Sequence, residues 1–428
     1  MNTKEIKYRG SYIIMGLGQI LCGQWIKGIA FLVLLTLYIM YLCTQGIGDI
    51  IGFFTLGTVE GDPWLGTTGD DSVLMLLRGI MAFLITIAMV IVHMTNIRDI
   101  QHTQKLISEG KKVPGFAESV RSFVDKKFYV VALIVPVIGV MMFNVLPIIF
   151  MILIAFTNYG GEIIPPKLID WIGLGNFRQI LSLSGIKSTF LKILGWNITW
   201  AICATAINYF GGLLLALLLN KRCVKGKTFW RAFPILAYAV PGFITLLGFK
   251  FMFSYGGPIN FYIKAIGGNP IGFLDIDAGW KARIIGILVN AWISIPTSML
   301  LATGILSNMN NELYEAASID GAGRWTQFIK LTLPFVVFST TPTLITSFVG
   351  NFNNFGVFYF LRGGMYLDGY FLASDTDLLI NWLYNLSIDN NYYGIGAAVS
   401  LIIFVITSVI SLSAYINSSA FKKEDTFR

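Results

Sequence analysis

The sequence predicts an all-α polytopic membrane protein of about eight transmembrane helices, and three observations carry that prediction. Hydrophobic residues make up 55% of the 428-residue chain and charged residues only 13%, and the mean hydropathy of +0.70 lies far above that of an ordinary soluble domain. Crossing about 30 Å of hydrocarbon takes roughly 20 helical residues, and eight stretches meet that length: 26–46, 73–94, 128–156, 193–219, 230–254, 283–306, 332–350 and 395–416. Lys and Arg, finally, gather in alternate loops.

Taken in order, the N-terminus places Lys4, Lys7 and Arg9 before an apolar stretch in the manner of a signal peptide. No small-residue cleavage site follows and apolar character resumes past Lys27, so the segment is expected to be retained. Tyr12–Cys22 is too short to span. With Gly16, Gly18 and Gly23 around it, it reads as an interfacial or re-entrant segment.

Orientation follows from the basic loops, which favour the cytoplasmic side. The segment 95–127 carries Arg98, Lys105, Lys111, Lys112, Arg121, Lys126 and Lys127; the turn 220–231 carries Lys221, Arg222, Lys225, Lys227 and Arg231; the tail carries Lys422, Lys423 and Arg428. The loop 47–72 has no Lys or Arg but has Asp49, Glu60, Asp62, Asp70 and Asp71, and 351–394 has Arg362 alone against Asp368, Asp375, Asp377 and Asp389. Eight crossings with both termini cytoplasmic satisfy every loop, and no odd number does. Pro114-Gly115 and the mixed charges around it separate an N-terminal accessory region, 1–127, with two spans and a basic linker, from a denser six-span block, 128–422, where function is expected.

Several function classes are disfavoured. The net charge of +8 is spread over short inter-span loops and forms no single basic face, which argues against nucleic acid as a partner. Cys22, Cys43, Cys203 and Cys223 have no paired spacing, and His93 and His102 are the only histidines, so no metal, cofactor or catalytic residue is expected. Gly226-Lys227-Thr228 resembles the end of a phosphate-binding loop, but Lys221 stands where that motif needs its first Gly. Arg78, near the end of its span, reads as a snorkelling side chain.

The informative loop lies between the sixth and seventh spans: Asn311-Glu312-Leu313-Tyr314-Glu315-Ala316-Ala317-Ser318-Ile319-Asp320-Gly321, running on to Leu333-Pro334. Asn311 is expected to cap a short helix, Glu312 and Glu315 to sit at the positive end of its dipole, and Gly321 to end it in the left-handed region. Ala316 and Ala317 leave a small-residue surface that another helix or a cleft can approach. By itself this could be an ordinary amphipathic helix lying on the membrane.

The run resembles the EAA loop of permease subunits of binding-protein-dependent ABC importers: Glu-Ala-Ala, a Gly four residues after the second Ala, then Ile-x-Leu-Pro, with Leu331 in place of the Ile. The resemblance implies a six-helix ABC importer permease core whose coupling helix, Glu315, Ala316, Ala317, Asp320 and Gly321 with Leu333 and Pro334, docks into a separate ATPase. A second resemblance, over about 128–422, is to the larger permease of maltose/maltodextrin-type systems. It is carried by Pro234-Ile235-Leu236-Ala237-Tyr238-Ala239-Val240-Pro241, by Ser347-Phe348 with Asn351-Phe352-Asn353-Asn354-Phe355, and by Thr376-Asp377-Leu378-Leu379-Ile380. That likeness implies a substrate pocket at Tyr238, Ser347, Asn351 and Asn354. Amides inside apolar spans are costly unless paired or functional; a sugar offers them hydroxyls, while the alternative is that they hold helices together.

The chain departs from that pattern at Gly242, Gly350 and Thr297, where bulkier, polar or aromatic residues occur, which implies a wider pocket. Arg362-Gly363-Gly364-Met365 replaces a Gly-Gly-Gly-Pro, and the loop after the third span is only about 35 residues, as in a Gram-positive type of subunit. The resemblance implies an oligosaccharide substrate, an extracellular sugar-binding lipoprotein, a second permease subunit and an ATPase dimer as partners, all set in membrane lipid. The chain is therefore expected to be a translocation subunit and no enzyme. The rival reading, an ion-coupled secondary transporter of sugars, needs intramembrane carboxylates, whereas the acidic residues here lie almost entirely in loops.

Overall fold

The computed structural model describes residues 10–61, 69–126, 128–221 and 223–418. The basic residues Lys4, Lys7, Arg9, Lys127, Arg222, Lys422, Lys423 and Arg428, together with Asp62, lie outside the described residues. Among the described residues, seven helices are long and apolar enough to cross a membrane, and a bent pair supplies an eighth crossing if it counts as one span. All eight expected spans overlap one of these. The chain divides into two compact units, Met1–Gly173 and Leu174–Arg428.

In the first unit, α1 (Leu17–Leu21) precedes the long helices α2 (Trp25–Thr55) and α3 (Ser72–Ser108), the short α4 (Phe116–Lys126) and α5 (Phe128–Ile154). The segment 12–22 does not span. It folds back on α3, where the Gly16 N–H donates to Asn96 Oδ1 at 3.2 Å and Gln19 Nε2 donates to the Asn96 carbonyl at 3.3 Å. Lys27 and Asp99 pair beside it at 2.5 Å. Two boundaries differ from expectation. Residues 47–55 are helical, because Ile47, Ile50, Ile51, Phe53 and Phe54 carry the apolar run past Asp49, and α3 runs on to Ser108 through what composition marks as linker. Asp71 caps α3 by accepting from the Leu74 N–H at 3.0 Å.

The second unit begins with α6 (Gly175–Ser182) and α7 (Ser184–Asn220), followed by α8 (Lys227–Ala239), α9 (Gly242–Phe253) and α10 (Pro258–Ala265). After these come α11 (Gly279–Ser307), the loop helix α12 (Asn311–Ile319), α13 (Leu333–Phe352), α14 (Gly356–Arg362), α15 (Leu379–Tyr384) and α16 (Tyr393–Asn417). The expected continuous span 230–254 is broken: the chain turns by 89° between α8 and α9. Pro241 has no N–H to donate and forces Val240 out of the helical region, to φ −75° and ψ 130°.

The core of this unit is α7 against α11 and α13. Gly212 lets the backbones approach, since a Cβ there would meet the Ser298 Cβ at 2.4 Å. Close contact through small residues is what drives helix association where lipid is as apolar as the interior. Tyr209, Leu213, Ala216, Met299, Ala302 and Val336 form a buried apolar cluster between the three helices.

At the other end of α13 the helix stops at Phe352 and resumes at Gly356. Backbone groups freed inside a membrane protein need internal partners, and α7 and α15 supply them. Trp200 Nε1 donates to the Asn351 carbonyl at 2.9 Å, Asn197 Nδ2 to the Phe352 carbonyl at 3.1 Å, and Asn381 Nδ2 to the Phe355 carbonyl at 2.8 Å. At the end of α14, Arg362 is fully buried and bonds Asp375 Oδ1 at 2.9 Å, Thr376 Oγ1 at 3.1 Å, and the carbonyls of Asp275 and Ile276 at 3.0 Å each.

Candidate functional site

One cavity of about 460 Å³ opens between α7, α8, α11 and α13, and all four residues expected to hold substrate, Tyr238, Ser347, Asn351 and Asn354, line it. The volume is in the range of small-molecule sites. Tyr238 reaches it from the last turn of α8, ahead of the break at Val240-Pro241. Ser347 and Asn351 lie one turn apart on α13. Asn354 is not on the same continuous helix, as its spacing suggests, but in the break before α14, and it still faces the same space.

Two residues of the polar wall are absent from the sequence expectation. Asn290 on α11 accepts from Asn354 Nδ2 at 3.3 Å through its Oδ1, and its own Nδ2 is buried without a partner among the described residues. Asn208 on α7, 6% exposed, has a buried Oδ1 with no partner among the described residues. Asn351 is better satisfied, donating to Thr205 Oγ1 at 3.0 Å. An amide in an otherwise apolar span was the available signal for Asn208 and Asn290; without a motif around them, nothing separated them from helix-bridging amides. The departures Thr297 and Gly350 also line the cavity. A hydroxyl-rich ligand fits such a wall, because each hydroxyl both donates and accepts.

The second candidate region is α12 and its flanks. The helix forms over Asn311–Ile319, but its cap is Asn310 and not Asn311: Asn310 Oδ1 accepts from the Glu312 N–H at 3.0 Å, and Asn311 is already helical. Glu312 is in the first turn, and Gly321 has φ +79° after Asp320 ends the helix. Glu315, Ala316 and Asp320 are exposed, Ala317 is half-buried, and Leu313 and Ile319 are 52% and 87% exposed.

The opposite side of α12 is anchored. The Tyr314 and Thr332 hydroxyls lie 2.8 Å apart, and Gln327 Nε2 donates to Ser318 Oγ at 2.9 Å and the Ala322 carbonyl at 3.0 Å. Leu333 packs against the apolar cluster and Pro334 sits in the first turn of α13. Expected coupling residues thus fall into two groups, an exposed face on α12 and a partly buried root at Leu333 beside the exposed Pro334. One helix, α13, joins that root to Ser347 and Asn351 in the cavity wall.

A polytopic helical bundle with a polar cavity among its spans and an anchored, exposed helix at one end defines a membrane transport subunit. Residues 208–423 match the family of binding-protein-dependent transport system inner membrane components, and the chain belongs to that family. It is 34% identical over 434 residues to the maltodextrin transport system permease protein MdxF of Bacillus subtilis (strain 168), across 99% of this chain and 98% of that protein. It is also 34% identical over 422 residues to the galactooligosaccharides transport system permease protein GanP of the same organism, across 96% and 97%. Among solved structures, a bacterial ABC transporter involved in import of the acidic polysaccharide alginate has a chain with TM-score 0.58 and 22% identity, covering 70% of this chain and 97% of that one, a likeness of fold. The chain is accordingly a multi-pass membrane translocation component and not an enzyme.

Proposed function

We propose that this chain carries an oligosaccharide, maltodextrin-like or a related glycan, through the cell membrane after an extracellular solute-binding protein delivers it, with ATP hydrolysed on a separate ATPase dimer and a second permease subunit completing the pathway. The observation that carries the reading is the cavity on whose wall Tyr238, Ser347, Asn351 and Asn354 meet. In this account the amides and the Ser347 hydroxyl bond sugar hydroxyls, and Tyr238 offers its ring to a CH face. The relatives, one a maltodextrin and one a galactooligosaccharides transport permease, support the substrate class without choosing the sugar.

Coupling is assigned to α12. Its exposed face at Glu315, Ala316, Ala317 and Asp320 docks on the ATPase, Gly321 sets the turn that presents it, and Leu333-Pro334 root it on α13. Closure of the ATPase moves α12, and the Tyr314–Thr332 contact passes that displacement to the helix that bears the cavity residues. Residues 128–422 form the translocation core and 1–127 an accessory region. Both termini are cytoplasmic, so an impermeant thiol reagent added outside labels a cysteine at Val59 and spares one at Lys111; labelling of both from outside overturns this orientation.

Reconstitution tests the function. In proteoliposomes with the partner permease, the ATPase and the binding protein, uptake of malto- or galacto-oligosaccharide requires ATP and persists when ion gradients are collapsed. Uptake driven by an ion gradient without ATP would establish secondary transport in its place.

A further inference from the structure

We propose that the cavity contains a second, inner sugar subsite formed by Asn208, Tyr209 and Thr343, one step closer to the loop helix than the amides already described. The proposal rests on the reading of the chain as an oligosaccharide permease and assigns where the sugar unit beyond the first is held.

The cavity wall on α13 is not confined to Ser347 and Asn351. Thr340 and Thr343 also line it, so a polar stripe with spacings of three and four residues runs from Thr340 to Asn354. From Thr340 to Asn351 the helix rises about 16 Å at about 1.5 Å per residue, longer than one sugar ring, and Asn354 lies just beyond its end. Asn290 and Asn354 close the outer part of this column by bonding each other, whereas Asn208 and Tyr209 of α7 face its inner part.

Asn208 is the reason to see a ligand position there. It is 6% exposed, and its Oδ1 is buried with no partner among the described residues. Leaving a buried acceptor unmade is costly, and more so at membrane depth, so such an atom beside a cavity calls for a donor. Across the cavity on α11, Asn290 Nδ2 is a buried donor without an acceptor among the described residues. A sugar hydroxyl, which gives one hydrogen and accepts others, answers either need.

Tyr209 contributes a second acceptor. Thr340 Oγ1 donates to the Val336 carbonyl at 2.7 Å, so its contact of 2.8 Å with Tyr209 is made by the tyrosine O–H, which leaves the tyrosine oxygen free to accept. Tyr209 also belongs to the apolar cluster with Leu213, Met299 and Val336, which marks the floor of the subsite. A disaccharide is held by the outer residues alone; a longer chain reaches Asn208.

The test is uptake of the malto- and galacto-oligosaccharide series, disaccharide to heptasaccharide, by reconstituted complexes carrying Asn208→Leu or Thr343→Val, normalised to assembled complex. Thr343→Val keeps the side-chain shape and carries the test alone if Asn208→Leu fails to assemble. Disaccharide uptake should stay within about twofold of wild type while uptake of longer sugars falls roughly tenfold, the factor a lost bond to a buried polar group produces. An equal loss at every length, or no loss at any, overturns the inner subsite. Asn351→Ala serves as the control: if it lowers uptake at all lengths while Asn208→Leu lowers none, the inner subsite alone falls. If neither variant affects any sugar, or the wild type carries neither series, the oligosaccharide reading falls with it.

Discussion

The hydroxyls of Tyr314 on α12 and Thr332, the residue before α13, lie 2.8 Å apart, and this contact ties the loop helix to the helix that carries Ser347 and Asn351. Tyr314→Phe removes the bond and keeps the ring. The expected result is a complex that assembles and hydrolyses ATP but moves less sugar per ATP, by a factor of about two to ten for a bond of about 0.5–1.5 kcal/mol. Unchanged stoichiometry in proteoliposomes would show that α12 and α13 move together without it.

Gly321 makes a second, separable prediction. Its φ of +79° is strained for any side chain, yet a Cβ there would meet nothing within 4 Å. Gly321→Ala should therefore act through the backbone alone, costing on the order of 1–2 kcal/mol of local order and weakening the hold of the ATPase on the membrane complex. Co-purification of the ATPase with wild-type yield would argue that this turn does not present the docking face.

Much of this was legible beforehand, and the reasons for what was not are physical. Length and hydropathy located the spans, since about 20 apolar residues cross a bilayer whatever their neighbours. The same measure could not place helix breaks: averaged over a span, the amides Asn353 and Asn354 do not mark an interruption, and the carbonyl partners Asn197, Trp200 and Asn381 that make the break tolerable come from other helices. Pro241 was visible, but not that it would turn the chain by 89°. Lipid-facing and core-facing positions are alike apolar, so nothing along the chain told Asn208 and Asn290 from helix-bridging amides. The cap fell on Asn310 and not on Asn311 because two adjacent residues of one type offer the same signal.

The buried Arg362 predicts a sharp response to loss of its counter-charge. Asp375→Ala leaves the guanidinium bonded to Thr376 and two carbonyls but to no carboxylate. A loss of about 1.5–3 kcal/mol is expected, the range for a hydrogen bond to a charged group, read as a lower unfolding temperature of the purified subunit. Wild-type stability would show that the backbone acceptors suffice.

Asp377 gives a pH dependence. Burial pushes its carboxyl up to about 6, against the bonds it accepts from the Ser374 N–H at 2.8 Å and Asn385 Nδ2 at 3.2 Å, and against the charge of Arg362. The folded state thus holds this proton more tightly than the unfolded chain, so its contribution is full below about pH 4 and is lost as pH rises through about 6, an effect on the order of 2–3 kcal/mol. Asp377→Asn should remove that component. Identical stability profiles for variant and wild type across this window would contradict it.

The account's central claim is that the cavity between α7, α8, α11 and α13 is the path of the sugar, and Asn351 and Asn354 test it most directly. In reconstituted complexes, Asn351→Ala and Asn354→Ala should each lower oligosaccharide uptake per assembled complex by an amount on the order of 1–3 kcal/mol in apparent barrier, roughly five- to a hundredfold. ATP hydrolysis without sugar should persist and assembly with the partner permease should be normal. Uptake rate and sugar preference per complex unchanged in both variants, with any deficit confined to the amount of complex assembled, would show that these amides hold helices together and that the sugar passes elsewhere.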